Sequence, residues 1–427
     1  MDRDLLSILF ILSLFLLLAL GIPIGVTVLI LAGVGIMLVS NIDSGLALAT
    51  AVFSQFSSWS LTALPLFVLM GEILARTGVA AKIFQAMAVL IGRAPGGLIQ
   101  VNVLASGLFS ALSGSSTATV ATIGKLSYPE LEARGYDRKL SLGSLASAGT
   151  LGILIPPSVA LVLYGFTFDV SIADLFLAGI VPGIILMLMF SAYVAIKHRH
   201  IDSTHVASEP QSKLKAIVDM LPLLALIFVV FGSIYGGYAT PTESAVIGVV
   251  GGMVLAAFNR TLRWNDILLS LRETVMFSGA IGFVLGASAA LQVAMAYTGI
   301  PREIVSWMQA VDMGPYGLLL ILAVILLIMG CFIDGLSMIV LTGAVMLPVV
   351  KAAGIDLLWF GIYMVILVEI GLITPPIGFN LFVLQKLTGV SIITIGRGSL
   401  PFIGVMLTAL VLFTIFPQIV TFLPNYF

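Results

Sequence analysis

The chain has 427 residues, of which 60% are hydrophobic and 9% charged, with a formal net charge of −1. Soluble domains carry roughly 25% charged residues, so this composition excludes a soluble globular protein and points to an integral membrane protein. Near-neutral charge argues against nucleic acid as a partner, and a single cysteine, Cys331, excludes an intrachain disulfide framework.

Hydrocarbon requires every backbone polar group to be paired internally, so apolar runs are expected to be helices. The start, Met1-Asp2-Arg3-Asp4, lacks the basic region of a cleaved signal, so the first apolar segment is expected to be retained. In chain order, spanning helices are predicted at 5–21, 24–39, 60–76, 142–168 and 172–197. A second set is predicted at 217–238, 241–258, 274–298, 357–388 and 399–424. Two further pairs, 97–113 with 117–131 and 316–332 with 335–350, read as re-entrant hairpins that enter the membrane and return.

The apolar sequence is written twice. A shift of 219 positions brings Ser115 onto Asp334, Gly124 onto Gly343, Pro129 onto Pro348 and Gly135 onto Gly354. It also brings Asp137 onto Asp356, Gly152 onto Gly371, and Pro156-Pro157 onto Pro375-Pro376. Each copy is interrupted at a hairpin tip (113–117 and 330–337) and within a helix (149–158 and 369–380). The predicted organisation is a first repeat over 1–200, a cytoplasmic linker over 201–215 and a second repeat over 216–427. Five crossings in each half invert one repeat relative to the other, as in many secondary transporters.

Cytoplasmic loops are enriched in Lys and Arg. With the polar stretch 197–215 placed in the cytoplasm, only Arg3, Arg302 and Lys351 of the 19 basic residues fall on the other side, leaving 16 inside. Charge alone does not exclude two full crossings for each hairpin; the parallel helix breaks favour re-entry. His198, His200 and His205 lie in the polar stretch without acidic or Cys partners, which suits a solvated linker better than a metal site. Gly124-Lys125-Leu126 lacks the glycine and hydroxyl of a phosphate loop, so ATP hydrolysis is not expected.

The interruptions are where chemistry can reside. Ser113-Gly114-Ser115-Ser116-Thr117 offers hydroxyl ligands and a flexible backbone; close helix packing by small residues is the alternative. The double prolines free upstream carbonyls and expose half-helix ends, favourable to a cation at one end and an anion at the other; a plain proline kink is the alternative. Asp334 at the second tip needs a partner, which sodium or a proton would supply, unless it is a hydrogen-bonded structural residue. Glu369 poses the same question. Glu243, in Thr240-Pro241-Thr242-Glu243, fits a capping box, although a functional carboxylate remains open there. Glu72 stands four residues before Arg76, the spacing of a helical ion pair.

Several segments carry a resemblance: Pro65-Leu-Phe-Val-Leu-Met-Gly71-Glu72, Ser113-Gly-Ser-Ser116, Gly152-Ile-Leu-Ile-Pro156-Pro157-Ser158, Pro241-Thr-Glu243-Ser and Gly371-Leu-Ile-Thr374-Pro375-Pro376-Ile-Gly378-Phe-Asn380. Together they resemble, over essentially the whole chain, the large membrane (M, or DctM-type) subunit of tripartite ATP-independent periplasmic (TRAP) transporters. The resemblance implies sodium-coupled uptake of an organic acid, of the sialic acid or C4-dicarboxylate class, across the bacterial inner membrane by an elevator motion. It also implies a separate small four-helix membrane subunit and a periplasmic substrate-binding protein. The expected scaffold is 5–39 with 217–258, and the moving domain holds both hairpins and both broken helices. Sodium is expected at Ser113, Ser115, Ser116, Gly149, Thr150, Gly152 and Pro156, and at Gly330, Asp334, Ser337, Gly371 and Thr374. Substrate is expected at Ser115, Thr117, Ser158 and Asn380. Two rivals remain: a stand-alone sodium/dicarboxylate carrier, and an intramembrane hydrolase using Asp334 and Glu369, which lacks any recognisable nucleophile–base set.

Overall fold

A computed structural model describes residues 9, 10, 12–14, 16–18, 20–39, 43–197 and 212–426. These residues form helices and no strand. The expectations for His198, His200, His205, Arg199, Arg3 and most of the linker lie outside the described residues. The helix expected from 217 begins at Lys213.

The first half contains α1 (Ile24–Val39), α2 (Ser44–Phe56), a 3₁₀ turn (Trp59–Thr62), α3 (Ala63–Arg76) and α4 (Val79–Ile91). It continues with α5 (Leu98–Ser113), α6 (Ser116–Ala133), α7 (Arg138–Thr150), a 3₁₀ turn (Leu151–Ile153), α8 (Val159–Phe168) and α9 (Ile172–Lys197). The second half contains α10 (Lys213–Tyr235), α11 (Pro241–Phe258), α12 (Trp264–Thr298), α13 (Ile300–Ala310) and α14 (Pro315–Gly330). It ends with α15 (Gly335–Ala352), α16 (Leu357–Leu372), α17 (Phe379–Thr388), α18 (Ile392–Ile415) and α19 (Gln418–Tyr426).

Both ends of α6 and α15 are separated by 219 residues. The sequence recurrence reappears in local structure. Ser115 and Asp334 cap α6 and α15, and Asp137 and Asp356 cap α7 and α16, each through its side-chain oxygen. Gly135 and Gly354, which end the preceding turns, both take φ +69°. The halves differ where α2, the turn and α3 of the first answer to one 35-residue helix, α12, in the second. The expected start of that helix at 274 was too late by ten residues. The short helices α2, α4 and α13 were absent from the predicted spans.

Seven helical stretches among the described residues are long and apolar enough to cross a membrane. Large apolar side chains such as Phe228, Phe258, Val275 and Leu400 face outward, as lipid permits. Two helices lie inside instead: α5 and α16 are buried almost all round. α12 lies along α1, α2 and α3, and α11 packs on α3 and α10. α16 packs on α14, α15, α9 and α18, while α7 lies between α5, α6 and α18. The Ser288 hydroxyl on α12 donates to the Val340 carbonyl of α15 at 2.8 Å, joining the two groups.

Candidate functional site

The first tip is built by two caps in succession. Gly114, at φ +57°, ends α5 with its N–H on the Ser110 carbonyl at 3.0 Å. Ser115 then starts α6, its hydroxyl accepting from the Ala118 N–H. Behind the tip, the Ser113 and Thr119 hydroxyls meet at 2.7 Å.

The first helix break presses on this tip. α7 ends at Thr150, whose hydroxyl donates to the Ser147 carbonyl at 2.7 Å. Past Pro156-Pro157, Ser158 donates to the Ile153 carbonyl at 2.5 Å and accepts from the Leu161 N–H, opening α8. The Val159 N–H reaches the Gly114 carbonyl at 3.3 Å. A Cβ on Gly152 would lie 2.8 Å from the Ser115 carbonyl, and one on Gly149 would run into the Val120 side chain. Glycine at both places is what lets break and tip touch.

The second tip and break meet in the same way. Asp334 caps α15, its Oδ2 accepting from the Ser337 N–H at 2.9 Å. A Cβ on Gly330 would lie 2.8 Å from the Gly371 Cα, and the reverse holds at the same distance. The Thr374 hydroxyl donates to the Ile370 carbonyl at 2.6 Å. The Cys331 thiol donates to the Pro375 carbonyl at 3.7 Å.

A cavity of ≈ 240 Å³ lies between the two tips. Ser115, Ser116 and Thr117 line it from one tip, and Asp334, Gly335 and Leu336 from the other. Four helices begin at its wall: α6 at Ser116, α8 at Val159, α15 at Gly335 and α17 at Phe379. The remaining wall is apolar and includes Phe277 of α12 and Val368 and Leu372 of α16. Sequence reasoning missed Phe277 and Val368, since apolar residues give no contrast within apolar helices; Leu372 and Phe379 were at least inside the quoted motif that ends at Asn380.

Not every expected site residue reaches this cavity. Ser158 and Asn380, expected at the substrate, are both fully buried and do not line it. Their polar groups are taken by the protein: Asn380 Nδ2 donates to Ser116 Oγ at 2.7 Å and to the Ala146 carbonyl at 3.0 Å. Glu243 does form the capping box with Thr240 at the start of α11. Glu72 pairs with Arg76 at 3.2 Å. Glu369 is fully buried, with neither carboxylate oxygen hydrogen-bonded. The two carboxylates of the hydrolase alternative are therefore divided, with Asp334 on the cavity wall and Glu369 off it.

The family described as tripartite ATP-independent periplasmic transporter, DctM component, matches residues 11–419. The chain is 34% identical to the C4-dicarboxylate TRAP transporter large permease protein DctM of Pseudomonas aeruginosa, over 93% of each chain. It is 30% identical to the sialic acid TRAP transporter large permease protein SiaM of Vibrio cholerae, over 95% of this chain and 96% of that one. In fold it is similar to the Alcanivorax borkumensis YdaH transporter, with a TM-score of 0.65 at 14% identity, covering 97% of this chain and 99% of that one. With its apolar helices, paired tips and breaks and this family match, the chain belongs to the large permease (DctM) component family of TRAP transporters, as a multi-pass membrane protein.

Proposed function

We propose that this chain is the permease of a sodium-driven importer in a bacterial inner membrane, moving an organic acid handed over by a periplasmic binding protein and working with a small membrane subunit. The acid belongs to the carboxylate class for which relatives are named, among them C4-dicarboxylate and sialic acid permeases. One observation carries this reading: four helices start at the wall of a single cavity. Helix N-termini carry partial positive charge and free N–H groups, so their convergence favours an anion without any basic side chain. Discontinuous helices arranged in this way are a recurring substrate site in secondary transporters.

Sodium would come in as the coupling ion. The oxygens gathered at each tip and break are hydroxyls of Ser113, Ser116 and Thr150 with loop carbonyls at the first, and Asp334 and Thr374 with loop carbonyls at the second. Hard cations prefer such oxygen sets, and the close backbone contacts at Gly152 and Gly371 leave carbonyls within the same crowded space. α5 and α14 have 16 residues each, about 24 Å, which is shorter than the ~30 Å hydrocarbon core. The partner arms α6 and α15 have 18 residues, about 27 Å, also short of that core, which suits hairpins that enter and return; within the same proposal the two halves are inverted and both tips move together as an elevator.

The test is uptake into proteoliposomes containing the permease, the small subunit and the binding protein. Uptake should require an inward sodium gradient and no ATP. Equal uptake in potassium buffer removes sodium coupling. Full uptake by this chain alone favours the stand-alone carrier.

A further inference from the structure

We propose that sodium at the first tip exchanges with the cytoplasm through a buried column of hydroxyl and amide groups and bound water inside the first hairpin, apart from the cavity. This rests on the reading of that tip as a sodium site. It goes further because the polar column belongs to one half of the chain and not to the other.

Asn102, Ser106 and Ser110 stand four residues apart along α5, in one row that Ser113 extends to the tip. The other arm of the hairpin meets this row: Ser127 donates to Asn102 Oδ1, and the Ser113 and Thr119 hydroxyls share a hydrogen bond. α7 packs on both arms and carries Ser141 and Ser147. Asn102, Ser106, Ser110, Ser141 and Ser147 are all more than nine-tenths buried. Yet Asn102 Nδ2 and the four serine hydroxyls have no hydrogen-bond partner. The neighbouring hydroxyls of Ser144 and Thr150 donate to the carbonyl three residues back; these do not. Unpaired buried polar groups are costly, and ordered water is what relieves them.

These groups span the hairpin from end to end. Asn102 lies 11 residues before Ser113, Ser127 lies 11 after Ser116 and Ser141 lies nine before Thr150, so all three sit about 14–17 Å from the tip. Exposed Arg93, Arg138 and Lys139 mark that end as cytoplasmic. Glu130 pairs with Arg134 at 3.1 Å and Glu132 with Arg138 at 4.0 Å, which partly offsets the positive charge at the mouth. At the tip α5 and α7 both finish, at Ser113 and Thr150, and their C-terminal partial negative charge favours a cation. The N-terminus of α6 opposes this, and Ser115 caps it. The second hairpin has no such row. α14 carries no polar side chain after Tyr316, and the 219-residue shift puts Phe360 and Ile366 of α16 where α7 has Ser141 and Ser147. The route is therefore one-sided: cytoplasmic sodium reaches the first tip and opposes uptake from within.

The experiment uses Ag+, a thiol-reactive monovalent cation of nearly sodium's size, in chloride-free buffer. It is applied to membrane vesicles of either orientation that hold the full chain with its small subunit. Ser106→Cys, Ser110→Cys and Val101→Cys are made separately in a Cys331→Ser chain. Val101 is the control: it is equally buried but lies nine residues, about two and a half turns, from Ser110, on the opposite face of α5. Thiols left after silver are counted with a maleimide in denaturing detergent. From the cytoplasmic side Ser106→Cys and Ser110→Cys should be consumed at least ~10-fold faster than Val101→Cys. Sodium but not potassium should slow the reaction of Ser110→Cys, and from the periplasmic side neither should outpace Val101→Cys. Sodium dependence of uptake is measured alongside on the Cys331→Ser complex with the binding protein added. Cytoplasmic rates equal to that of Val101→Cys, in a complex whose uptake still needs sodium, overturn the route and leave sodium coupling standing. Uptake indifferent to sodium removes the coupling and this inference with it.

Discussion

Asn380 and Ser116, 264 residues apart in the chain, are hydrogen-bonded at 2.7 Å, Asn380 fully buried and Ser116 at the cavity wall. The bond ties the helix that follows the second break to the helix that follows the first tip. The Asn380 amide also holds the Ala146 carbonyl of α7 at 3.0 Å, so one side chain joins three helices from both halves.

Asn380→Leu should therefore cost stability even though Leu fills the space. It strands the buried Ser116 hydroxyl, which costs about 1–3 kcal/mol, and removes the second donor from the Ala146 carbonyl, which keeps its place in α7. A lowered thermal midpoint of the purified protein is expected. Ser116→Ala in the Asn380→Leu background should add little, since the two positions share one interaction. Additive losses in that double-mutant cycle would mean that the pair is not coupled.

Backbone contact makes a second expectation. Gly330 and Gly371 approach so closely that a Cβ on either would sit 2.8 Å from the other's Cα. Neither atom is the free end of a side chain, so Gly371→Ala must push α14 and α16 apart. Overpacking of this kind costs about 1–3 kcal/mol. Gly404→Ala is the control, because nothing lies within 4 Å of that Cβ and the site is helical. Ala there should stabilise slightly. Equal thermal midpoints for Gly371→Ala and the wild type would refute the contact.

The sequence made the tips and breaks legible because Ser, Gly and Pro interrupt apolar runs where lipid tolerates no unpaired backbone. The 219-residue shift also carried the caps, since Asp137 and Asp356 perform the same task in α7 and α16. Other features had no such contrast. Nothing marks Phe277 as a cavity residue among the apolar residues of α12. Ser158 and Asn380 illustrate the opposite case: a polar residue in an apolar segment can serve a solute or a protein neighbour, the pattern is identical until the neighbour is known, and here both meet protein neighbours. The short helices α2, α4 and α13 were missed because their 11 to 13 residues fall below the length that marks a span.

Asp334 separates structural and ionic roles cleanly. Asparagine is as good an N-cap as aspartate, so Asp334→Asn should keep the start of α15 while removing the charge. Half-maximal uptake should then need at least ~10-fold more sodium, equivalent to about 1.4 kcal/mol. Ser115→Ala removes a cap worth about 1 kcal/mol but no charge, and should shift the sodium dependence less. Sodium titrations of uptake, with expression checked for each variant, decide this. An unchanged sodium dependence in Asp334→Asn would make Asp334 purely a helix cap.

Glu369 is the one Asp, Glu, Lys, Arg or His that is buried among the described residues, and both of its oxygens lack a hydrogen-bond partner. It sits two residues before Gly371, the contact point of the second break. No buried basic side chain is present among the described residues to balance it. A carboxylate held there contributes nothing to folding that an amide of the same shape would not, and an unpaired buried charge is costly. Glu369→Gln should therefore unfold at the same temperature as the wild type or above it. Uptake should nonetheless fall at least ~10-fold, because the amide cannot take up and release a proton or cation as the helix break moves past it. The two measurements point in opposite directions only if the carboxylate serves the transport cycle. A loss of thermal stability would instead place an essential hydrogen bond on Glu369, and full uptake at full stability would leave it without a part in transport.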